Sequence, residues 1–139
     1  MNGYHGIYLN DKIIFDNQIK EFAIKIDNIN GSRCLMLGFA VGGKTKEGGL
    51  HAQSEKWMFS LNNGYYLNDN GAGWFSTQIH VINGDTVSMC IDTQELYLYL
   101  KVNGKETGLR RKIDINEQQK QNLYPCLDLN SPNDQISLI

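Results

Sequence analysis

Apolar and polar residues alternate with period two along much of this chain. Phe22, Ile24 and Ile26 fall on one face of an extended segment, with Lys25 and Asp27 on the other. Val87, Met89 and Ile91 share a face. Leu96, Leu98, Leu100 and Val102 share another, opposite Glu95, Tyr97, Tyr99 and Lys101. Ile136 and Leu138 alternate with Gln135 and Ser137. Such alternation predicts strands with one packed face and one solvent face, as in an antiparallel sheet. Residues 35–41 are apolar throughout, which predicts a central strand with little exposure.

Six Asn-Gly pairs punctuate these runs, at Asn2, Asn30, Asn63, Asn70, Asn83 and Asn103. Both residues tolerate the positive φ of a type I′ turn, so the pair is a strong hairpin signal. Three hairpins follow: 57–61 with 65–67, 79–82 with 86–91, and 96–102 with 105–109. The one helix candidate, 116–121, lacks an apolar face and amounts to one turn at most. The spacing predicts about ten to twelve short strands in an all-β, two-layer antiparallel β-sandwich with little or no helix. Residues 1–139 form one domain. The chain stops directly after an alternating strand, so a domain cut from a longer protein is the expectation.

Composition sharpens this picture. The 139 residues include 15 Asn and 14 Gly but only 4 Ala and 2 Pro, the opposite of a helical bundle. The net charge of −2 excludes a nucleic-acid binder that works by phosphate neutralisation. The densest basic run, Arg110, Arg111 and Lys112, reads as a solvated loop. Cys34, Cys90 and Cys126 lie in or beside apolar runs without disulfide or zinc spacing, which predicts reduced core thiols. No apolar run approaches the roughly 18 residues of a membrane span, and no secretory signal opens the chain. An intracellular protein, cytoplasmic or nuclear and not membrane-bound, is expected.

Catalytic chemistry leaves no trace in the motifs. His5, His51 and His80 have no nucleophile or carboxylate in a recognisable arrangement, and no phosphate-loop, dinucleotide or hydrolase motif occurs. Gly42-Gly43-Lys44-Thr45 ends like a phosphate loop but lacks the first glycine. Asp85 and Asp92 bracket a strand, where each suits bonding to turn amides, as Gly38 suits close backbone approach and Pro125 a strand end or edge. Asp69, Asp92, Asp128 and Asp134 are likewise turn-placed. Asp128-Leu129-Asn130 and Asn68-Asp69-Asn70 offer oxygen ligands for calcium without completing a known loop. The reading is no enzyme, no small-molecule substrate, no cofactor and no metal. The longest polar stretch is 42–56, long for a plain connection and of the kind that carries function.

Five ordered segments resemble the SPRY (B30.2/SPRY) family: Glu21-Phe22-Ala23-Ile24-Lys25-Ile26; Leu37-Gly38-Phe39-Ala40; 57–61 with Asn63-Gly64; Gly84-Asp85-Thr86-Val87 through 96–102 and Asn103-Gly104; and Leu123-Tyr124-Pro125-Cys126. The resemblance runs from about residue 5 to the end. It implies a concanavalin-like, jelly-roll sandwich that acts as a non-catalytic protein-protein interaction module, a monomeric adaptor or scaffold piece of a larger assembly. In some relatives the partner meets an early loop, the loop after the Gly-Phe-Ala strand and the loop after the Leu-Tyr-Pro strand, which correspond here to 8–12, 42–56 and 130–134. Lys44, Lys46, His51 and Glu55 would then offer charge-assisted bonds to a protein or short peptide. Asn130, Ser131 and Asn133 would offer adaptable hydrogen bonds. Trp74, read as lying in a 71–75 loop, is a candidate anchor. Tyr97 and Tyr99 face away from the leucines, towards solvent or intramolecular cover. A lectin-like sandwich using the Asn-rich loops and Trp74, and a small hydrolase, stand as alternatives.

Overall fold

A computed structural model describes residues 5–8, 12–28, 36–42, 56–60, 65–68, 73–76, 81–129 and 135–138. Eleven strands and one helical turn occur among them: β1 (His5–Tyr8), β2 (Ile19–Asn28), β3 (Met36–Val41), β4 (Lys56–Ser60), β5 (Tyr65–Asn68), β6 (Gly73–Ser76), β7 (Thr86–Asp92), β8 (Tyr97–Val102), β9 (Lys105–Lys112), α1 (Glu117–Lys120), β10 (Leu123–Leu129) and β11 (Gln135–Leu138). They form a six-stranded sheet, β1-β10-β3-β4-β5-β6, and a five-stranded sheet, β11-β2-β7-β8-β9. Every pairing is antiparallel.

The alternating apolar sets meet between the sheets. Leu37, Phe39, Trp57, Phe59, Leu123 and Leu127 of one sheet pack with Ile24, Ile26, Val87, Met89, Ile91, Leu98 and Leu100 of the other. Phe22 and Phe39 meet edge-to-face across the layers, with centroids 6.1 Å apart. Burying side chains of this size is worth ~2 kcal/mol each, which is the term that drives the two sheets together. The apolar run predicted to be central is so: β3 lies between β10 and β4, and Leu37, Phe39, Ala40 and Val41 are all buried. At Gly38 an added Cβ would meet the Trp57 carbonyl and lie 2.8 Å from Cα of Met58, so the close approach expected there is real.

Turn chemistry closes the chain where the sequence placed it. Asn103 (φ 52°) and Gly104 (φ 82°) form the β8–β9 hairpin. Asp92 Oδ1 accepts from the amides of Gln94 and Glu95, each at 2.9 Å. Asp85 Oδ2 accepts from the Ile82 amide at 3.0 Å. Asn116 caps α1 in a reciprocal box with Gln119.

Several local expectations are corrected. Val81 and Ile82 are not in a strand, and β7 pairs with β2 and β8 instead of forming a hairpin across Asn83-Gly84. The Gly84 amide donates to the Ile26 carbonyl at 2.7 Å, so this Asn-Gly pair leads the chain onto β2. Leu96 is a turn residue at φ 61°; its amide donates to the Asp92 carbonyl at 2.9 Å while its side chain packs against the core. Such a left-handed non-glycine costs ~1–2 kcal/mol, offset here by the burial of its side chain. Arg110, Arg111 and Lys112 lie in β9, not in a loop. Charge on this edge strand, and a register shift near Gly108 (φ 85°), discourage edge-to-edge pairing. Pro125 lies inside β10, which is flanked by β1 and β3. The Gly42 amide bonds to the Asn122 carbonyl, so alternation turns the Pro125 nitrogen away from β3, and the described pairing with β1 ends one residue later at Cys126.

Candidate functional site

The register of the six-stranded sheet fixes which connections start together. Leu123, at the start of β10, lies opposite Val41, while Ala40 lies opposite Lys56, and Asn68 opposite both Trp57 and Gly73. Segments 43–55 and 69–72, and the chain leaving Tyr8, therefore depart from one end of the sheet, beside α1. At the other end, Leu129 lies opposite His5 and Met36 opposite Ser60. Residues 130–134 leave from there. Six strand steps of ~3.4 Å separate the two departure points, about 20 Å along β10.

The sequence-predicted site residues divide accordingly. Lys44, Lys46, His51 and Glu55 belong to the segment anchored at the α1 end, and Asn130, Ser131 and Asn133 to the segment anchored at the far end. All seven lie outside the described residues. Trp74 is in strand β6, opposite Leu67, and not in a loop. The two calcium candidates also fall on residues whose side chains or backbone lie outside the described set. Among the described residues, no three His, Cys, Asp or Glu side chains converge as metal ligands, and no helix is long and apolar enough to cross a membrane.

The outer face of the five-stranded sheet carries the row that includes Tyr99, expected to meet solvent or intramolecular cover. Register places Glu21, Cys90, Tyr99 and Arg110 side by side. Lys101 Nζ lies 3.0 Å from Glu21 Oε1. That bond holds the Glu21 carboxyl below its ordinary range and raises the Lys101 ammonium. The Arg110 guanidinium lies 4.7 Å from the Tyr99 ring centroid and pairs with Glu106 at 3.1 Å. Beneath this cover Cys90 is fully buried and Tyr99 only 6% exposed. Burial pushes the Cys90 thiol up to about 12, with the Glu21 charge acting in the same sense. Tyr99 is thus covered within its own chain, and the row is a closed structural network. Its signal in the sequence was the pairing of tyrosines with cations two positions apart on β9.

The opposite outer face, on the six-stranded sheet, also has a dry centre. Ala40, Met58 and Cys126 are fully buried, and the Cys126 thiol points at the Gly38 carbonyl, 3.7 Å away. Both described cysteines are free and buried, as expected; Cys34 lies outside the described residues.

No family model matches the sequence, and no curated protein matches it. Among solved structures, the crystal structure of a human SPRY domain superposes with a TM-score of 0.69 at 12% identity, over 99% of this chain and 85% of that one. The SPRY domain of human HERC1 gives 0.64 at 14% identity, over 97% and 80%. At such identities the likeness is one of fold.

Proposed function

We propose that this chain, which has the fold of a SPRY domain, is a non-catalytic protein-interaction module inside the cell. Its partner is a protein or a short peptide, met by the segments at the α1 end of the sandwich. The observation that supports this most is positional: the longest polar stretch, 42–56, connects two central strands that are paired with each other and anchored in the core by Leu37, Phe39, Val41, Trp57 and Phe59. Rigid strands presenting a long polar segment suit recognition, because the scaffold holds its ends in place without ordering cost. Lys44, Lys46, His51 and Glu55 supply the charge-assisted bonds, with Trp74 of β6 as a candidate anchor. Asn130, Ser131 and Asn133 belong to a separate segment whose anchor, Leu129, lies about 20 Å along β10 from Leu123, a span within reach of a larger partner.

The test is affinity capture from a cell extract with the immobilised chain, against the Lys44→Ala/Lys46→Ala/His51→Ala variant and an Asn130→Ala/Asn133→Ala variant. The first variant is expected to lose most of the specifically recovered protein, and the second to keep at least part of it. Equal recovery by the intact chain and the first variant refutes the placement. A glycan array run alongside separates this reading from sugar binding, since the interaction module gives no specific hits.

A further inference from the structure

We infer that a groove beside α1 is a subsite for an extended acidic segment carrying an aliphatic side chain; this rests on the reading that the chain binds a partner protein. Segment 12–15 runs past the start of β10, where the Ile13 amide donates to the Leu123 carbonyl at 2.7 Å. Ile13 is buried in the core, so its neighbour Ile14 is forced outward and stands 58% exposed. Phe15 packs partly on the core, and Lys120 Nζ sits 5.7 Å from its ring centroid. Together with Lys12 and Glu117 these residues line a groove of about 480 Å³, wide open to solvent. Its lining combines apolar Ile13, Ile14 and Phe15 with charged Lys12, Glu117 and Lys120, the mix of a recognition patch in miniature.

The charges choose the occupant. Lys120 pairs with Glu117 at 2.9 Å, while Lys12 is exposed and makes no ion pair among the described residues. Among the residues that line the groove, two lysines stand against one glutamate, a net charge of +1. A carboxylate beside Lys12 and an aliphatic side chain across Ile14 and Phe15 satisfy both features at once. An open groove suits a strand of peptide crossing it, whereas a small molecule would keep too much surface in water. The groove lies at the end from which 43–55 departs, so one partner spans both.

The experiment is NMR titration of the ¹⁵N-labelled chain with acetyl-Glu-Leu-Leu-Glu-amide and with its neutral counterpart acetyl-Gln-Leu-Leu-Gln-amide. Saturable shifts are expected at Ile14, Phe15 and Lys120 with the acidic probe, and at least about threefold weaker binding of the neutral one, the size of a rim charge effect. Ile14→Asp, at an exposed position that leaves folding intact, abolishes the shifts, and Lys12→Ala weakens them. Absence of saturable shifts at these residues, or equal binding of both probes, overturns the subsite. Partner capture that survives Ile14→Asp but not the 44/46/51 variant would remove the groove alone and leave the interaction module standing.

Discussion

Asn103 joins two turns, so its replacement measures how the five-stranded sheet is pinned. Its φ of 52° is in the left-handed region, where a residue with an ordinary side chain costs ~1–2 kcal/mol. Its Oδ1 accepts from the Thr86 amide at 2.9 Å, and its Nδ2 donates to Asp85 Oδ1 at 3.0 Å. Both bonds are exposed, so each contributes ~0.5 kcal/mol, the low end for hydrogen bonds. Asn103→Ala loses all three terms, ~2 kcal/mol together. Asn103→Gly loses the bonds but regains the conformation, and costs ~1 kcal/mol. At about 4 °C of melting temperature per kcal/mol, the shifts are ~8 and ~4 °C. The assay is urea unfolding, with the midpoint falling at constant slope. Domains of this kind carry ~5–15 kcal/mol, so both variants stay folded. Equal loss in the two variants would show that the left-handed backbone carries no cost, and an alanine variant within 0.5 kcal/mol of the parent (about twofold in the folding equilibrium) would refute the whole assignment.

Three further outcomes follow from the same geometry. Because the Lys101 bond lowers the Glu21 carboxyl, its stabilisation is present above the ordinary carboxylate range near pH 4.3 and is lost as pH falls through the lower folded value. Glu21→Gln therefore flattens the loss of stability on acidification below about pH 4.5, and an unchanged acid slope in denaturant melts would contradict the pairing. Cys90, with its thiol pushed up to about 12, and Cys126, buried against Met58, resist iodoacetamide at pH 8 in the folded chain and react in urea; peptide mass spectrometry reads each site, and rapid labelling of either in native buffer would contradict its burial. Gly38→Ala drives a methyl against the backbone of β4 and lowers stability by ~2–3 kcal/mol, which urea unfolding measures; a loss under 1 kcal/mol would mean the strands can part without cost.

Period-two patterning was enough to place the core: Ile24, Ile26, Met89, Leu98 and Leu100 all point where the alternation sends them. Asn103-Gly104 was legible because its positive φ values are local requirements. Asn83-Gly84 looked identical in sequence yet makes no hairpin, because β2, some 55 residues earlier, supplies the partner strand. Leu96 was missed for a local reason: its apolar side chain reads as strand, while the Asp92 turn holds its backbone in a left-handed conformation. Tyr99 was read from alternation as facing away from the leucines, towards solvent or intramolecular cover. Cover is what it finds: Arg110 from the next strand lies over its ring, and no single-strand pattern identifies that neighbour. The segment 42–56 was visible from polarity alone. That 130–134 leaves from the other end of the sheet became legible only from the β10 register, since one strand length sets the separation.

The most direct test of the account is hydrogen exchange of the chain in complex with the protein it captures. Protection is expected in peptides covering 9–15 and 42–56, with the 85–112 sheet unchanged. Protection confined to 130–134, or spread over the outer face around Tyr99 and Arg110, would contradict the proposed interface.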